Sequence, residues 1–173
     1  MRLINTKTPE LVEFDEPDIP NYATLCHMWN SDEVSLSDFV AKVPLQSQGY
    51  QKIASFCALC FKLGLMWAWV DPFYIDKGNS SVLSVAINSM FRFYRHSNTC
   101  VAYLSDVPKP LSVPWTPNET HSFQASRWFT RGWTLQELSA PKRMIFYSSC
   151  WSPDEEKGHL ADTISAVSGI EEN

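Results

Sequence analysis

Apolar positions recur along this chain in two periods, and their alternation sets out the elements. Residues 50–63 carry Ile53, Phe56, Cys57, Cys60 and Phe61 at helical spacing, the apolar face of an amphipathic helix that Gly64 is placed to cap. Leu65-Met66-Trp67-Ala68-Trp69-Val70 follows as an apolar run of strand length and ends at Asp71-Pro72. After the polar turn 76–80, Leu83, Ala86, Ile87, Met90 and Tyr94 form the buried stripe of a second helix. Arg92, Arg95 and His96 lie near its C-terminal end, where the helix dipole favours cations. Tyr22 to Trp29, Cys100 to Leu104 and Met144 to Tyr147 read as further buried strands. Arg2 to Asn5 and Leu11 to Phe14 flank Thr8-Pro9 as a short hairpin, and a weaker helical pattern covers about 159–167. Pro108, Pro110, Pro114 and Pro117 break residues 106–124 into a long loop, a length uncommon in compact domains unless it serves a function.

Strands alternating with helices predict an α/β fold with a mainly parallel central sheet flanked by helices. At 173 residues the chain is expected to form one domain, 1–173, around a single core. Ligands of such sheets sit beyond the carboxyl ends of the strands. His27 and Trp29 at one strand exit, Asp71 at another, the loop after Leu104 and the start of the helix carrying Glu137 should therefore converge.

Composition narrows the function. With 45% hydrophobic and 13% aromatic residues the chain is globular, and a net charge of −5 without a basic run excludes a nucleic-acid footprint. No signal peptide and no membrane-length apolar run are visible, so a cytoplasmic protein with no membrane partner is expected. Five cysteines, an odd number, suit free thiols in a reducing compartment.

The densest chemistry lies in residues 126–141, where Ser126-Arg127-Trp128-Phe129-Thr130-Arg131-Gly132-Trp133 runs into Thr134-Leu135-Gln136-Glu137-Leu138. Good helix formers follow the glycine, and Pro141 marks the helix end. Glu137 is then either a carboxylate partly dried by Trp128, Phe129 and Trp133, or a solvated helix residue beside ordinary core tryptophans. Cys57 and Cys60 have metal-ligand spacing, but no second pair accompanies them and both fall on the apolar face, so they read as core thiols. Cys26 and His27 are strand neighbours that point to opposite faces and cannot act on each other. Asp71 and Asp76 are candidates for a carboxylate pair, or else a strand terminator and a turn starter. No phosphate loop and no Gly-rich dinucleotide fingerprint is present among the six glycines.

These stretches together resemble the HET (heterokaryon incompatibility) domain family of filamentous fungi. The resemblance rests on Tyr22 to Trp29 for Y-x-x-L-S-H-x-W, and on Gly49-Tyr50-Gln51-Lys52-Ile53. It continues through Trp69-Val70-Asp71 with Ile75-Asp76-Lys77, Ala86-Ile87-Asn88-Ser89-Met90 and Tyr103-Leu104-Ser105-Asp106, to Ser126 through Leu138. Departures fall at Asn30, at Pro72, Phe73 and Tyr74, and at Val82 and Val85, where the family commonly carries glycine, a D-T-x-C-I-D-K run and two acidic residues.

The resemblance implies the effector part of a longer protein, acting in regulated cell death after non-self recognition. The family is also distantly similar to TIR (Toll/interleukin receptor) domains, of flavodoxin-like fold, whose enzymatic members cleave NAD⁺ with one glutamate. Carried over, Glu137 would be catalytic. His27, Trp29, Asp71, Asp76, Arg127, Trp128 and Trp133 would surround the substrate, with NAD⁺ as substrate and neither cofactor nor metal required. The alternative implied is a non-enzymatic module that signals by self-association or by binding other signalling domains. An enzyme should place Glu137 in a cleft near Asp71 or His27, whereas an assembly module should bury it in a salt bridge.

Overall fold

A computed structural model describes residues 1–29, 32–35, 38–39, 41, 46–70, 89–108, 116–156 and 160–169. Strands β1 (Arg2–Asn5), β2 (Leu11–Glu13), β3 (Tyr22–His27), β4 (Trp67–Val70), β5 (Thr99–Leu104), β6 (Met144–Ser148) and β7 (Pro153–Glu156) form one seven-stranded sheet in the order β2-β1-β4-β3-β5-β6-β7. The four central strands, β4-β3-β5-β6, are parallel, and both margins are antiparallel. The expected α/β fold with a mainly parallel sheet is the one observed. The hairpin of β1 and β2 forms as read and also extends the sheet, because Ile4 and Asn5 pair with Ala68 and Trp67 of β4.

Strand alternation divides the core in two. Leu25, Val70, Val101 and Ile145 face α1 (Gln48–Lys62) and meet its Ile53, Phe56, Cys57 and Cys60. Cys26, Trp69, Cys100, Ala102 and Phe146 face the other way. There they pack on Met90 and Tyr94 of α2 (described over 89–96), Phe123 of α3 (Pro117–Gln124) and Trp128 of a 3₁₀ turn (Arg127–Thr130). Leu138 of α4 (Thr134–Ser139) and Ile164 of α5 (Ala161–Ser168) complete that layer. Helices thus cover both faces.

Gly64 closes α1 as expected. Its φ of 77° lets its N–H reach Phe61 O and the Leu65 N–H reach Cys60 O, satisfying two terminal carbonyls. Cys57 and Cys60 are buried free thiols, as their stripe implied. Phe61 is a correction: it is half exposed rather than part of the apolar face. One position past Cys60 turns it about 100° away from the sheet.

The expected loop over 106–124 is also corrected. Its second half is helix α3, with Pro117 in the first turn and a capping box in which Thr116 and Glu119 satisfy each other's backbone N–H groups. The segment 126–141 is two elements, because Arg131 adopts an extended backbone between the 3₁₀ turn and α4. Strand β7 was not anticipated from the sequence. Asp71, Asp76, the departures at Asn30, Pro72, Phe73, Tyr74, Val82 and Val85, and the first part of the second helix lie outside the described residues.

Candidate functional site

Among the parallel strands, β3 comes first in the chain and has β4 on one side and β5 on the other. The connections therefore leave in opposite directions at the β3/β5 boundary, where a doubly wound sheet opens a crevice beyond its carboxyl ends. A cleft of about 280 Å³ lies there, lined by Asp32, Glu33, Gln48, Gly49, Lys52, Tyr103, Ser105 and Arg127. Gly49 lets the wall close up. A Cβ on it would stand 2.3 Å from Asp32 O and 3.0 Å from Val34 N, so only glycine admits the post-β3 loop this near α1. The loop is tied down where the Asp32 carboxylate accepts from Gln48 N–H at 2.8 Å, at the N-terminus of α1.

His27 leaves β3 toward the α1 side and is buried. Its Nε2 stands 3.5 Å from Glu33 Oε2, while Lys52 Nζ donates to Glu33 Oε1 through a short contact. Burial pushes His27 down to about 4, against the hydrogen bond and charge of Glu33, and the positive charges of Lys52 and Arg131 add to the lowering. The imidazole is therefore neutral at pH 7. Burial pulls Glu33 upward, but its contacts with His27 and Lys52 more than offset this and hold it at about 2. With His27 neutral, Lys52 is the cation that keeps Glu33 ionised at neutral pH. Burial lowers the Lys52 ammonium from its ordinary range, and Glu33 opposes that shift.

Glu137 belongs to the opposite face. Only 1% of it is exposed, so it is no solvated helix residue. Arg131 Nη1 and Nη2 donate to Glu137 Oε2 and Oε1, each at 3.2 Å, a fork-on-fork pair. Burial and the contact with Cys100 raise the Cys26 thiol well above its ordinary value, the Glu137 charge adds to this, and Arg131 opposes it. The pair therefore lies by the last residues of β3. Arg131 influences both sides of that strand end, since its charge also acts on His27 and Lys52.

The remaining expected site residues separate. Arg127 is exposed, lines the cleft and lies 3.7 Å from Asp106, whose carboxylate also accepts from Ser126 Oγ and Arg127 N–H. Trp29 is partly exposed with its ring parallel to His27, centroids 6.5 Å apart. Trp133 is partly exposed at the start of α4. Trp128 is fully buried, edge-on to Phe129 and Phe146, and contributes its surface to the core rather than to a ligand wall. Sequence reasoning missed Glu33, Lys52, Gln48 and Tyr103. Lys52 had a signal: it precedes Phe56 by four residues and so breaks the apolar stripe of α1 with a charge. Among the described residues no group of three or more His, Cys, Asp or Glu could hold a metal ion, and no helix is long and apolar enough to cross a membrane.

Fold and cleft define a doubly wound α/β domain with a small polar crevice at its switch point. Over 156 residues, 88% of the chain, it is 42% identical to the vegetative incompatibility protein HET-E-1 of Podospora anserina. The chain belongs to the HET-domain-like proteins of fungi. It spans about 11% of the length of that relative. No family model and no solved structure matches it.

Proposed function

We propose that this domain is a cell-death effector of fungal non-self recognition, part of a longer protein, whose chemistry is NAD⁺ glycohydrolysis with Glu137 as the catalytic carboxylate. The supporting observation is the His27–Glu33–Lys52 cluster at the switch-point cleft, with the charge of Arg131, paired to Glu137, near enough to act on His27 and Lys52. Strongly perturbed titratable groups gathered at such a crevice are the usual mark of a reactive site. In the reaction the C–N bond between ribose and the cationic nicotinamide breaks. The electron pair stays on the ring nitrogen, which becomes neutral, so no acid need protonate the leaving group. Water adds to the oxocarbenium carbon and releases a proton, giving nicotinamide and ADP-ribose. A carboxylate against the ribose stabilises the transient positive charge.

A second reading, a non-enzymatic assembly module, draws on a specific observation as well. Glu137 is shut into a buried ion pair, the arrangement expected of such a module. Nicotinamide release by purified protein, dilute and concentrated, separates the two. The glycohydrolase reading expects release from the parent and a drop of at least about 100-fold in Glu137→Gln, comparable to removal of one charge-stabilising group. No release at any concentration from the folded parent and from a folded Arg131→Ala protein, whose Glu137 has lost its ion-pair partner, overturns it and leaves the assembly module.

A further inference from the structure

Arg131 meets Glu137 as a planar cation held flat against a carboxylate, both guanidinium nitrogens at 3.2 Å. Its side chain is 19% exposed, whereas that of Glu137 is 1% exposed, so the arginine is the member of the pair that reaches solvent. The connector that carries Arg131 is pinned at its flanks, where Thr134 Oγ1 donates to Trp128 O at 2.6 Å, and is more loosely held between them. Arg131 N–H reaches Trp128 O only at 3.4 Å, Thr134 N–H reaches Arg131 O at 3.2 Å, and a Cβ at Gly132 would meet nothing within 4 Å. Trp133 beside it is partly exposed. Four residues upstream, Arg127 is already in the cleft wall.

We propose that the Arg131 guanidinium is an autoinhibitory latch, standing in for the cationic part of a substrate at Glu137. In the closed fold the carboxylate is occupied, and it meets a ligand only when Arg131 swings out on the Arg131-Gly132 connector. A ligand that takes its place carries a flat, delocalised positive charge, as an N-ribosylpyridinium does, and a neutral ring does not substitute. The nature of the ligand rests on the glycohydrolase reading, whereas the latch itself does not.

Carboxyl labelling with a carbodiimide and an amine, read by peptide mass spectrometry, tests both parts. In the parent, Glu137 stays unlabelled while the exposed Glu13 and Glu16 react. Arg131→Ala raises the Glu137 labelling rate at least about 10-fold, and millimolar methylguanidinium restores protection by refilling the vacated space. Arg131→Lys, which keeps the charge but not the fork, gives an intermediate rate and serves where the alanine variant does not fold. A folded Arg131→Ala protein whose Glu137 remains unlabelled overturns the latch, as does labelling that ignores methylguanidinium. In the same variant NAD⁺ protects Glu137 and NADH, with the same phosphates but a neutral ring, does not. Equal protection by the two, or none from either, overturns the glycohydrolase reading while the labelling by itself still supports the latch.

Discussion

Replacing Arg131 by methionine removes the guanidinium while keeping an unbranched apolar stem. Glu137, 1% exposed in the parent, then keeps a charge whose bidentate partner is gone. Losing one member of a buried ion pair costs about 3–5 kcal/mol. The 19% exposure of Arg131 places this case near the lower end, about 3 kcal/mol. Glu137→Leu costs less, about 1–2 kcal/mol, because the freed guanidinium can reach water. The double variant should return to within about 1 kcal/mol of the parent, since a packed apolar pair can replace a buried ionic one. The coupling between the positions is then about 3 kcal/mol. Urea unfolding followed by the fluorescence of the seven tryptophans measures all four corners of this cycle. In a domain of this size the Arg131→Met loss also lowers Tm by roughly 6–12 °C. Additive single effects, or an Arg131→Met cost below about 0.5 kcal/mol, would show that Glu137 is hydrated and the pair adds nothing.

Two further outcomes follow from the cleft. His27 titrates at about 4 in the folded protein and near 6.5 unfolded, so between those values the unfolded chain binds the extra proton. Stability from this group is therefore complete above pH 6.5 and falls by roughly 3 kcal/mol as pH drops toward 4. Glu33, held at about 2, extends the decline below 4.5. Urea midpoints at pH 7, 5.5 and 4 should show the upper part of this fall in the parent and lose it in His27→Gln, and an unchanged profile would refute the assignment. Gly49→Ala forces a Cβ to within 2.3 Å of Asp32 O and should cost about 1–3 kcal/mol through displacement of the loop bearing Glu33. An unchanged urea midpoint would show that the loop gives way freely.

The layers of the fold were legible because two periods separate cleanly. The stripe Ile53, Phe56, Cys57, Cys60 reads at 3.6, and Cys100 to Leu104 reads as a strand buried on both faces, with each element found where its pattern lay. Helix α3 was missed because four prolines drew the eye to a loop, although Thr116-Pro117-Asn118-Glu119 spells a helix start. Strand β7 carries acidic residues and little apolar signal, and its pairing with β6 supplies what the sequence does not show. At the site, the motif singled out Glu137, but not its burial or its partner. An exposure of only 1% and an arginine six residues upstream depend on the extended turn at Arg131, which no local pattern announces. The His27–Glu33–Lys52 cluster joins a strand end, a loop and a helix, and such convergence belongs to tertiary structure.

The margins of the sheet bear on how copies of this domain can meet. β2 has only three residues, and β7 pairs with β6 through an irregular register and begins with a proline. Neither border offers the long run of free backbone donors and acceptors that a foreign strand needs for continuing a ladder. Growth by strand addition, the route to fibrils, is thus discouraged at both ends. Among the described residues, the helical faces and loops are then the surfaces left for contact between intact copies of the fold.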